Sequence, residues 1–520
     1  MGVEEERKFD VDPSYAPPEL AGCLPTGGRV VAREPVILTA SYYDTADLRL
    51  ARAGGSLRFR DGDGDGDPQP WTVKLPTAVP GIRHEISRPG PPDGPPPAEL
   101  VALVTALTRG APLAPVVTVR SRRRRYELCD ADGTVLAELA DDTVSVLDGA
   151  EPRGGFRELE VERVADRGDL LDRVAGVLTG TGAVAGGFTP KHVRALTLVP
   201  SRRATIAAPP DLPPPEPPCP QPTGGDVLRQ AIRRAAARIV AHDPLVRLGQ
   251  DLPGGDTPVH QLRVGLRRLR SDLRTFEPLV DRQWAGSLRR KLRWLAGRLG
   301  AVRDVEVLRA RLRRTATDPA PPVDPEAVAR IDAALAVREH AARTAMDRAL
   351  GSDRYVALLD ALVAAARQPR LTPLASASAQ QVLPGLVAGP WWALRSGPTG
   401  EPGAGDLAAD APDEPWHAVR VRGKRARYAV EAVADAVGGS APALARKLAA
   451  VQDLLGEHQD AAVAGQTWLA IAAADPGDHR LAVATGQLYE RERAAVRRVR
   501  AAFPAAWRAA DRPKLQSWLS

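Results

Sequence analysis

Up to about residue 200 the chain alternates apolar and polar positions one by one. LTASYYD, GSLRFRD, WTVKLP, RHEIS, VVTVRSRRRRYEL, TVLAELADDTVSV and FRELEVERV are short β-compatible runs separated by Gly, Pro and Asp, the pattern of half-buried strands in an antiparallel sheet. Helix-compatible stretches near 98–109 and 168–180 interrupt them. Beyond PPDLPPPEPPCPQPTGG (209–225) the apolar spacing changes to three and four, as in DVLRQAIRRAAARIVAHD and VHQLRVGLRRLRSDLRTF. The proline segment can form neither a helix interior nor a central strand, because proline lacks the amide donor and fixes φ; it favours an extended spacer. The expected organisation is a multidomain α+β chain: an antiparallel β domain over 1–200, a Pro-rich linker over 201–222, and an all-α domain over 223–515.

The helical half contains a diverged repeat, with copies at about 226–368 and 380–515. VHQLRVGLRRLRSDL (259–273) aligns without gaps to WHAVRVRGKRARYAV (416–430), and LGAVRDVEVL (299–308) to LGEHQDAAVA (455–464). Two matched segments in matched order point to duplication rather than to compositional bias. Between the copies, 369–413 is rich in Pro, Gly and Ser and is expected to be a long loop carrying one short helix around GLVAGPWWAL (385–394).

Strand geometry sorts the charges onto faces, since residues two apart point the same way. In the opening MGVEEERKF, Glu4, Glu6 and Lys8 share one face, with Glu5 and Arg7 on the other. Arg58 and Arg60 align, as do Thr72 and Lys74, Arg83 and Glu85, and Arg120, Arg122 and Arg124. Glu158, Glu160 and Glu162 form the sharpest ladder, opposite Leu159 and Val161. Like charges that close repel, so a single ladder reads as a solvated outer face. Several ladders of both signs read better as the lining of a barrel. Carboxylate oxygens suit Mg²⁺ or Mn²⁺, and Arg and Lys clamp phosphoryl oxygens. DGDGDGDP (61–68) imitates a calcium loop, but Thr72 stands where the twelfth ligand would be and strands flank it, so it reads as a hairpin tip.

On a helix His260, Arg263, Arg267, Arg270 and Arg274 form one stripe, and His417, Arg420, Lys424 and Arg427 repeat it; Leu262, Leu266, Leu269 and Leu273 supply the packing face of the first. Like charges one turn apart cost a few tenths of a kcal/mol each. Such a stripe calls for a bound anion or for nearby acids such as Asp304 and Asp460.

Composition adds limits. Lys plus Arg outnumber Asp plus Glu by 71 to 64, giving +7 in 520 residues, so polyanions are the plausible partners. Only 4% of residues are aromatic, which disfavours single-stranded nucleic acid, whose bases need stacking platforms. The cysteines, Cys23, Cys129 and Cys219, are odd in number and far apart, which suggests neither a disulfide framework nor a metal knuckle. With no apolar N-terminal segment and no long apolar run, the reading is cytoplasmic with no membrane partner.

Glu4-x-Glu6-x-Lys8, Leu57-Arg58-Phe59-Arg60, Thr72-Val73-Lys74, Glu158-Leu159-Glu160 and FTPKHVRAL stand in order over residues 3–197. Together they resemble the CYTH domain of the triphosphate tunnel metalloenzymes. The resemblance implies an eight-stranded antiparallel tunnel barrel that hydrolyses inorganic triphosphate or a related triphosphate with Mg²⁺ or Mn²⁺. By that resemblance Glu4, Glu6, Glu158, Glu160 and Glu162 hold metal. Lys8, Arg58, Arg60, Lys74, Arg120, Arg122, Arg124, Lys191 and Arg194 line the phosphate path, with Glu85 and Asp142 as supporting acids; Asp141 beside Asp142 leaves that register open. Thiamine triphosphatase or adenylate cyclase activity is the enzymatic alternative.

The repeat HxLRVxxRRLRSxLxxF, LGxxRDxxVL and HxxRVxxKRxRYxxE, over about 223–515, resembles a CHAD domain, a duplicated helical bundle associated with inorganic polyphosphate. The matching positions are His260, Arg263, Arg267, Arg270, Lys291, Arg303, His417, Arg420, Lys424, Arg425 and Arg427; Gln459 replaces the Arg303 equivalent in the second copy. The resemblance implies polyphosphate binding, with association with polyphosphate granules, and leaves a non-catalytic polyphosphate-binding protein as the other alternative.

Overall fold

The computed structural model describes all residues except 1, 63–70, 78–81, 92–93, 166–167, 187–188, 218, 253, 318–321 and 520, and the side chains of residues 2–4 also lie outside the described set. The hairpin tip within 61–68 therefore falls largely outside it. The chain divides into two compact units, Met1–Pro213 and Pro214–Ser520.

The strands of the first unit are β1 (Gly2–Val11), β2 (Arg29–Ala32), β3 (Val36–Asp44), β4 (Ser56–Asp61), β5 (Trp71–Pro76), β6 (Ile82–Arg88), β7 (Ala114–Cys129), β8 (Val135–Asp148), β9 (Glu151–Arg163) and β10 (Val184–Ala185). β1 pairs with β6 through residues 2–5 and with β9 through residues 6–11. That double pairing closes an eight-stranded antiparallel barrel in the order β1-β6-β5-β4-β3-β7-β8-β9, with β2 added on β7 and β10 on β1. Closure removes the exposed strand edges that an open sheet would leave.

Its helices are α1 (Arg49–Arg52), α2 (Ala98–Leu103), α3 (Thr105–Thr108), α4 (Leu170–Gly180), α5 (Lys191–Leu198) and α6 (Pro200–Ala207). Leu159 and Val161, opposite the glutamate ladder, join Phe9, Leu128, Leu139, Val174 and Leu178 in an outer core, so α4 covers that side of the barrel. At one end of the bore, Ala195 and Leu196 of α5 pack with Ala40, Tyr42, Val117, Val119, Val144 and Val146. The proline-rich segment begins held to this unit: Asp211 accepts from Arg52 at 2.9 Å and from Arg109 at 2.5 Å.

The second unit is helical: α7 (Gly224–Leu248), α8 (Pro258–Thr275), α9 (Arg282–Thr317), α10 (Pro325–Leu350), α11 (Asp353–Arg367), α12 (Ala379–Ser396), α13 (Asp413–Val437), α14 (Ala441–Ala473), α15 (His479–Ala510) and α16 (Pro513–Gln516). Thr223 opens α7 with a capping box to Asp226, and Thr257 caps α8. Leu262, Leu266, Leu269 and Leu273 are fully buried along α8, as the heptad-like spacing requires. α12 is longer than the short helix expected around 385–394, running through Pro384 and Pro390. Leu383, Val387, Trp391 and Leu394 bury one continuous face there, and that packing outweighs the two lost amide donors. Among the described residues no helix is long and apolar enough to cross a membrane.

Candidate functional site

Strand register decides which charges enter the barrel. Lys8 stands opposite Glu160 and Glu6 opposite Glu162; Asp142 stands opposite Glu158 on one side and Arg123 on the other. Around the rest of the wall, Arg83 is paired in register with residue 4 of β1, Lys74 with Glu85, and Arg58 with Thr72. One oxygen from each of Asp142, Glu158 and Glu160 lies within 4.8 Å of the others. All three carboxylates are largely withdrawn from water.

Three cations hold this triad together. Lys191, first residue of α5, is hydrogen-bonded to Asp142 and lies 3.2 Å from Glu158 and 3.7 Å from Glu160. Lys8 bonds Glu160 and sits 3.3 Å from Glu6. Arg123 forks onto Asp142 at 2.9 and 2.6 Å and reaches Glu160 at 2.9 Å. Burial alone would favour neutral forms. It is outweighed for Lys8, whose ammonium is held above its ordinary range by Glu160, Glu6 and Glu158. It is likewise outweighed for Glu160, held well below the usual carboxylate range by Lys191, Lys8 and Arg123. Glu158 differs: burial wins and its carboxyl is pushed up, with Lys191 opposing. Its buried Oε1 has the Lys191 ammonium 3.2 Å away but accepts no hydrogen bond.

Three hard oxygen donors with an under-satisfied buried oxygen among them could hold a divalent metal ion. The expected metal ladder is thus rearranged. Asp142, expected as a supporting acid, groups with Glu158 and Glu160. Glu162 is exposed, and Glu6, 4% exposed, pairs with Lys8 and with Arg83 at 3.7 Å. The Glu4 side chain lies outside the described residues. Glu5, expected to point away, pairs with Arg163 at 2.8 Å.

Of the phosphate-path residues, Lys8 and Lys191 enter the cluster, and Arg58, Arg60 and Lys74 stand on the inner face, where Lys74 meets Glu85 at 3.1 Å. Arg194 pairs with Asp10 and lies 3.6 Å from Glu158. β7 presents the opposite face from the one expected. Arg120, Arg122 and Arg124 are exposed, while Arg123 faces the triad, and the same alternation gives Arg125 to the bore. The phase follows from the flanks: Val117, Val119 and Ser121 are buried, and Arg123 and Arg125 continue their parity. Asp141 belongs to the outer side, where Arg157 forks onto it at 2.8 Å through each nitrogen and ties it to the backbone oxygens of Pro13 and Tyr15. His192, which sequence reasoning passed over, is a buried packing residue. It stacks on Tyr42 at 4.9 Å, lies 3.1 Å from the Gly55 carbonyl, and is pushed down to about 3 by burial.

In the second unit the stripes of α8 and α13 converge. Lys424 is surrounded by Arg420, Arg267 and Arg263, and burial together with those cations pushes it down to about 7. Arg267 and Arg420 each keep a buried Nε without a hydrogen-bond partner. Asp460 faces Arg420, and Asp304 accepts from Arg263 at 3.1 Å. His260 lies beside Arg303, Arg267 and Arg263, and burial pushes its imidazole down. Arg270 adjoins Arg293 and Arg289, and Arg425 adjoins Arg274 and Arg289, so the cationic surface continues. Arg274, Arg289 and Arg293 are further members that the repeat alignment did not select as binding residues.

Three expected residues are turned elsewhere. Lys291 donates to the Ala357 carbonyl at 3.0 Å. Arg427 bonds Glu431 at 2.6 Å. His417 lies 2.6 Å from Gln459. The buried histidine of the second copy is instead His458, stacked on Trp416 at 5.0 Å and accepting from Arg500 at 3.1 Å.

A closed antiparallel barrel with a charged bore and a carboxylate triad, followed by a helical bundle with a cationic surface, defines the class. A CYTH domain model matches residues 3–174 and a CHAD domain model residues 230–469, and the chain belongs to the family in which these two domains are fused. Two uncharacterized proteins from Mycobacterium tuberculosis, of strains CDC 1551 / Oshkosh and ATCC 25618 / H37Rv, are each 31% identical over 98% of this chain and 96% of their own length. Among solved structures, PptA from Streptomyces chartreusis is 26% identical, covering 55% of this chain and 99% of that one, with a TM-score of 0.43. The CHAD domain from the plant Ricinus communis is 23% identical, covering 56% and 94%, with a TM-score of 0.42.

Proposed function

We propose that the barrel hydrolyses inorganic triphosphate, or a related triphosphate, to pyrophosphate and phosphate, and that the helical unit binds inorganic polyphosphate. The observation that carries the first part is the triad of Asp142, Glu158 and Glu160 inside a closed barrel whose wall also presents Arg58, Arg60, Lys74, Arg83 and Arg125. The triad would hold Mg²⁺ or Mn²⁺, which supplies charge neutralisation and orientation to phosphoryl oxygens. The basic wall binds and aligns the remaining phosphates. Lys8, Lys191 and Arg123 hold Asp142 and Glu160 in their ionised forms and fix the triad in place. Hydrolysis adds one water across the terminal phosphoanhydride bond, with attack in line at phosphorus.

The second part rests on the converged stripes around Lys424, where four cations outnumber the acids that face them. A polyanion relieves that repulsion without requiring base stacking. The site assignments and the domain limits 1–200 and 223–515 are part of this reading, as is a cytoplasmic, granule-associated location. The decisive experiment measures phosphate release by the purified full chain with Mg²⁺ and with Mn²⁺ on inorganic triphosphate, thiamine triphosphate, ATP and long polyphosphate. Turnover of triphosphate that EDTA abolishes supports the proposal. Tight polyphosphate binding with no turnover of any of the four overturns its enzymatic half.

A further inference from the structure

A cavity of about 420 Å³ opens in the second unit, walled by α7, α8, α13 and a strap contributed by Glu216, Pro217, Cys219, Pro220 and Pro222. That volume lies in the range of small-molecule sites. On the strap side Pro217, Pro220 and Pro222 form an apolar wall between Glu216 and the bundle, facing small side chains such as Ala231, Val264 and Ala432. None of the cationic-stripe residues assigned above to polyphosphate lines it.

The charges around the cavity do not cancel one another: five carboxylates line it against three guanidiniums, those of Arg234, Arg238 and Arg268. Arg268 and Glu431 bond each other at 2.6 Å, and Asp226 is engaged by Thr223 and by Arg229 at 2.7 Å. Asp272 is the deeply buried carboxyl among them. It borders the cavity, is 1% exposed, and its Oδ1 has no hydrogen-bond partner. Leaving a buried carboxyl unpaired costs free energy unless something pairs with it. Burial accordingly pushes this carboxyl up to about 7, against the weaker opposing pull of Arg268. An anionic occupant would add to the misfit, and a neutral apolar one would leave it standing. A donor-bearing cation with an apolar body satisfies both the carboxylate and the proline wall.

We propose that this cavity is a binding site for a small organic cation, an ammonium or amidinium, whose charged end bonds the Asp272 carboxylate while its body lies under the proline strap. Cys219 provides a reporter. It lines the cavity and is exposed, whereas Cys23 and Cys129 are buried, so mild alkylation addresses it selectively.

The test uses the full-length protein with benzamidinium, agmatine and spermidine as probes and benzoate and succinate as controls. Titration calorimetry and the rate of Cys219 alkylation by iodoacetamide are the two readouts. At least one cationic probe is expected to bind and to slow alkylation, while the anions do neither. Asp272→Asn, which keeps the shape and removes the charge, is expected to weaken binding about tenfold to a hundredfold. Ala432→Leu, which leaves the carboxylate and fills the wall, is expected to weaken it comparably, and Glu160→Gln in the barrel is expected to leave it unchanged. The proposal is overturned if no cationic probe protects Cys219 in the wild-type protein, if benzoate protects equally, or if binding survives both cavity variants. Should Asp272→Asn fail to fold, Ala432→Leu and wild-type protection still decide.

Discussion

Lys8 in the barrel and Lys424 in the helical unit are both largely withdrawn from water, yet their ammonium groups are pushed in opposite directions. Lys8 is raised because burial is outweighed by Glu160, Glu6 and Glu158. Lys424 falls to about 7 because burial is reinforced by Arg420, Arg267 and Arg263. The barrel has neutralised itself: each buried cation at the triad has a carboxylate beside it. The helical surface has not, and its nearest acids, Asp304 and Asp460, are too few for the cations around them. A self-neutralised site can accept a metal and an anion together, because each replaces a partner that the other displaces. A surface in deficit accepts an anion alone. The two units therefore differ, on electrostatic grounds, in what they can accept.

The largest expected effect tests the barrel side. Glu160→Gln removes the carboxylate shared by Lys8, Lys191 and Arg123, and phosphate release should fall by at least about a hundredfold, with polyphosphate binding intact. Equal loss of both activities would mean that the contrast between the units is an effect on folding. Next, Arg267→Glu with Arg420→Glu should weaken polyphosphate binding on the order of a hundredfold while triphosphate turnover persists, as measured by calorimetry beside the phosphate assay. Retained binding would place the anion site elsewhere.

A smaller effect sharpens the contrast through protons. Lys424 has its proton largely removed above pH 7 in the free protein, and a bound polyanion returns it toward the ordinary lysine value. Binding should therefore take up a proton between about pH 7 and 10 and weaken by no more than about tenfold per pH unit across that window. Calorimetry in two buffers of different ionisation enthalpy measures the uptake, and Lys424→Met should abolish it. Smallest is a stability change. The raised carboxyl of Asp272 stabilises the fold below about pH 4, and that contribution is lost as pH rises through about 7. Asp272→Asn should then be more stable than wild type by about 1–3 kcal/mol at pH 8 and no more stable at pH 4, read from denaturant unfolding.

Much of this was legible because strand parity is simple where the two faces differ. Leu159 and Val161 between three glutamates put those glutamates on one face, while Lys8 opposite Glu160 comes from the β1–β9 register. The parity fails in RSRRRRY, where four consecutive arginines look alike from either face. There the phase is carried by Val117, Val119 and Ser121 several residues upstream, and Arg123 was missed. Which acids would assemble was also hidden, since Asp142 joins Glu158 through the β8–β9 register, a tertiary fact with no local signature. The helical stripes were visible as spacing, but their convergence was not. That Arg263 and Arg267 of one copy surround Lys424 of the other depends on how α8 meets α13. The Asp272 cavity lay beyond sequence altogether: the aspartate follows a leucine-and-arginine pattern that reads as ordinary packing.

Ala195 and Leu196 of α5 sit against Val117, Val119, Val144 and Val146, and the same helix opens with Lys191, whose ammonium meets Asp142, Glu158 and Glu160. An apolar contact thus sets the position of a charge at the triad: a substitution that loosens Ala195 or Leu196 would reach the carboxylates without altering any charged residue.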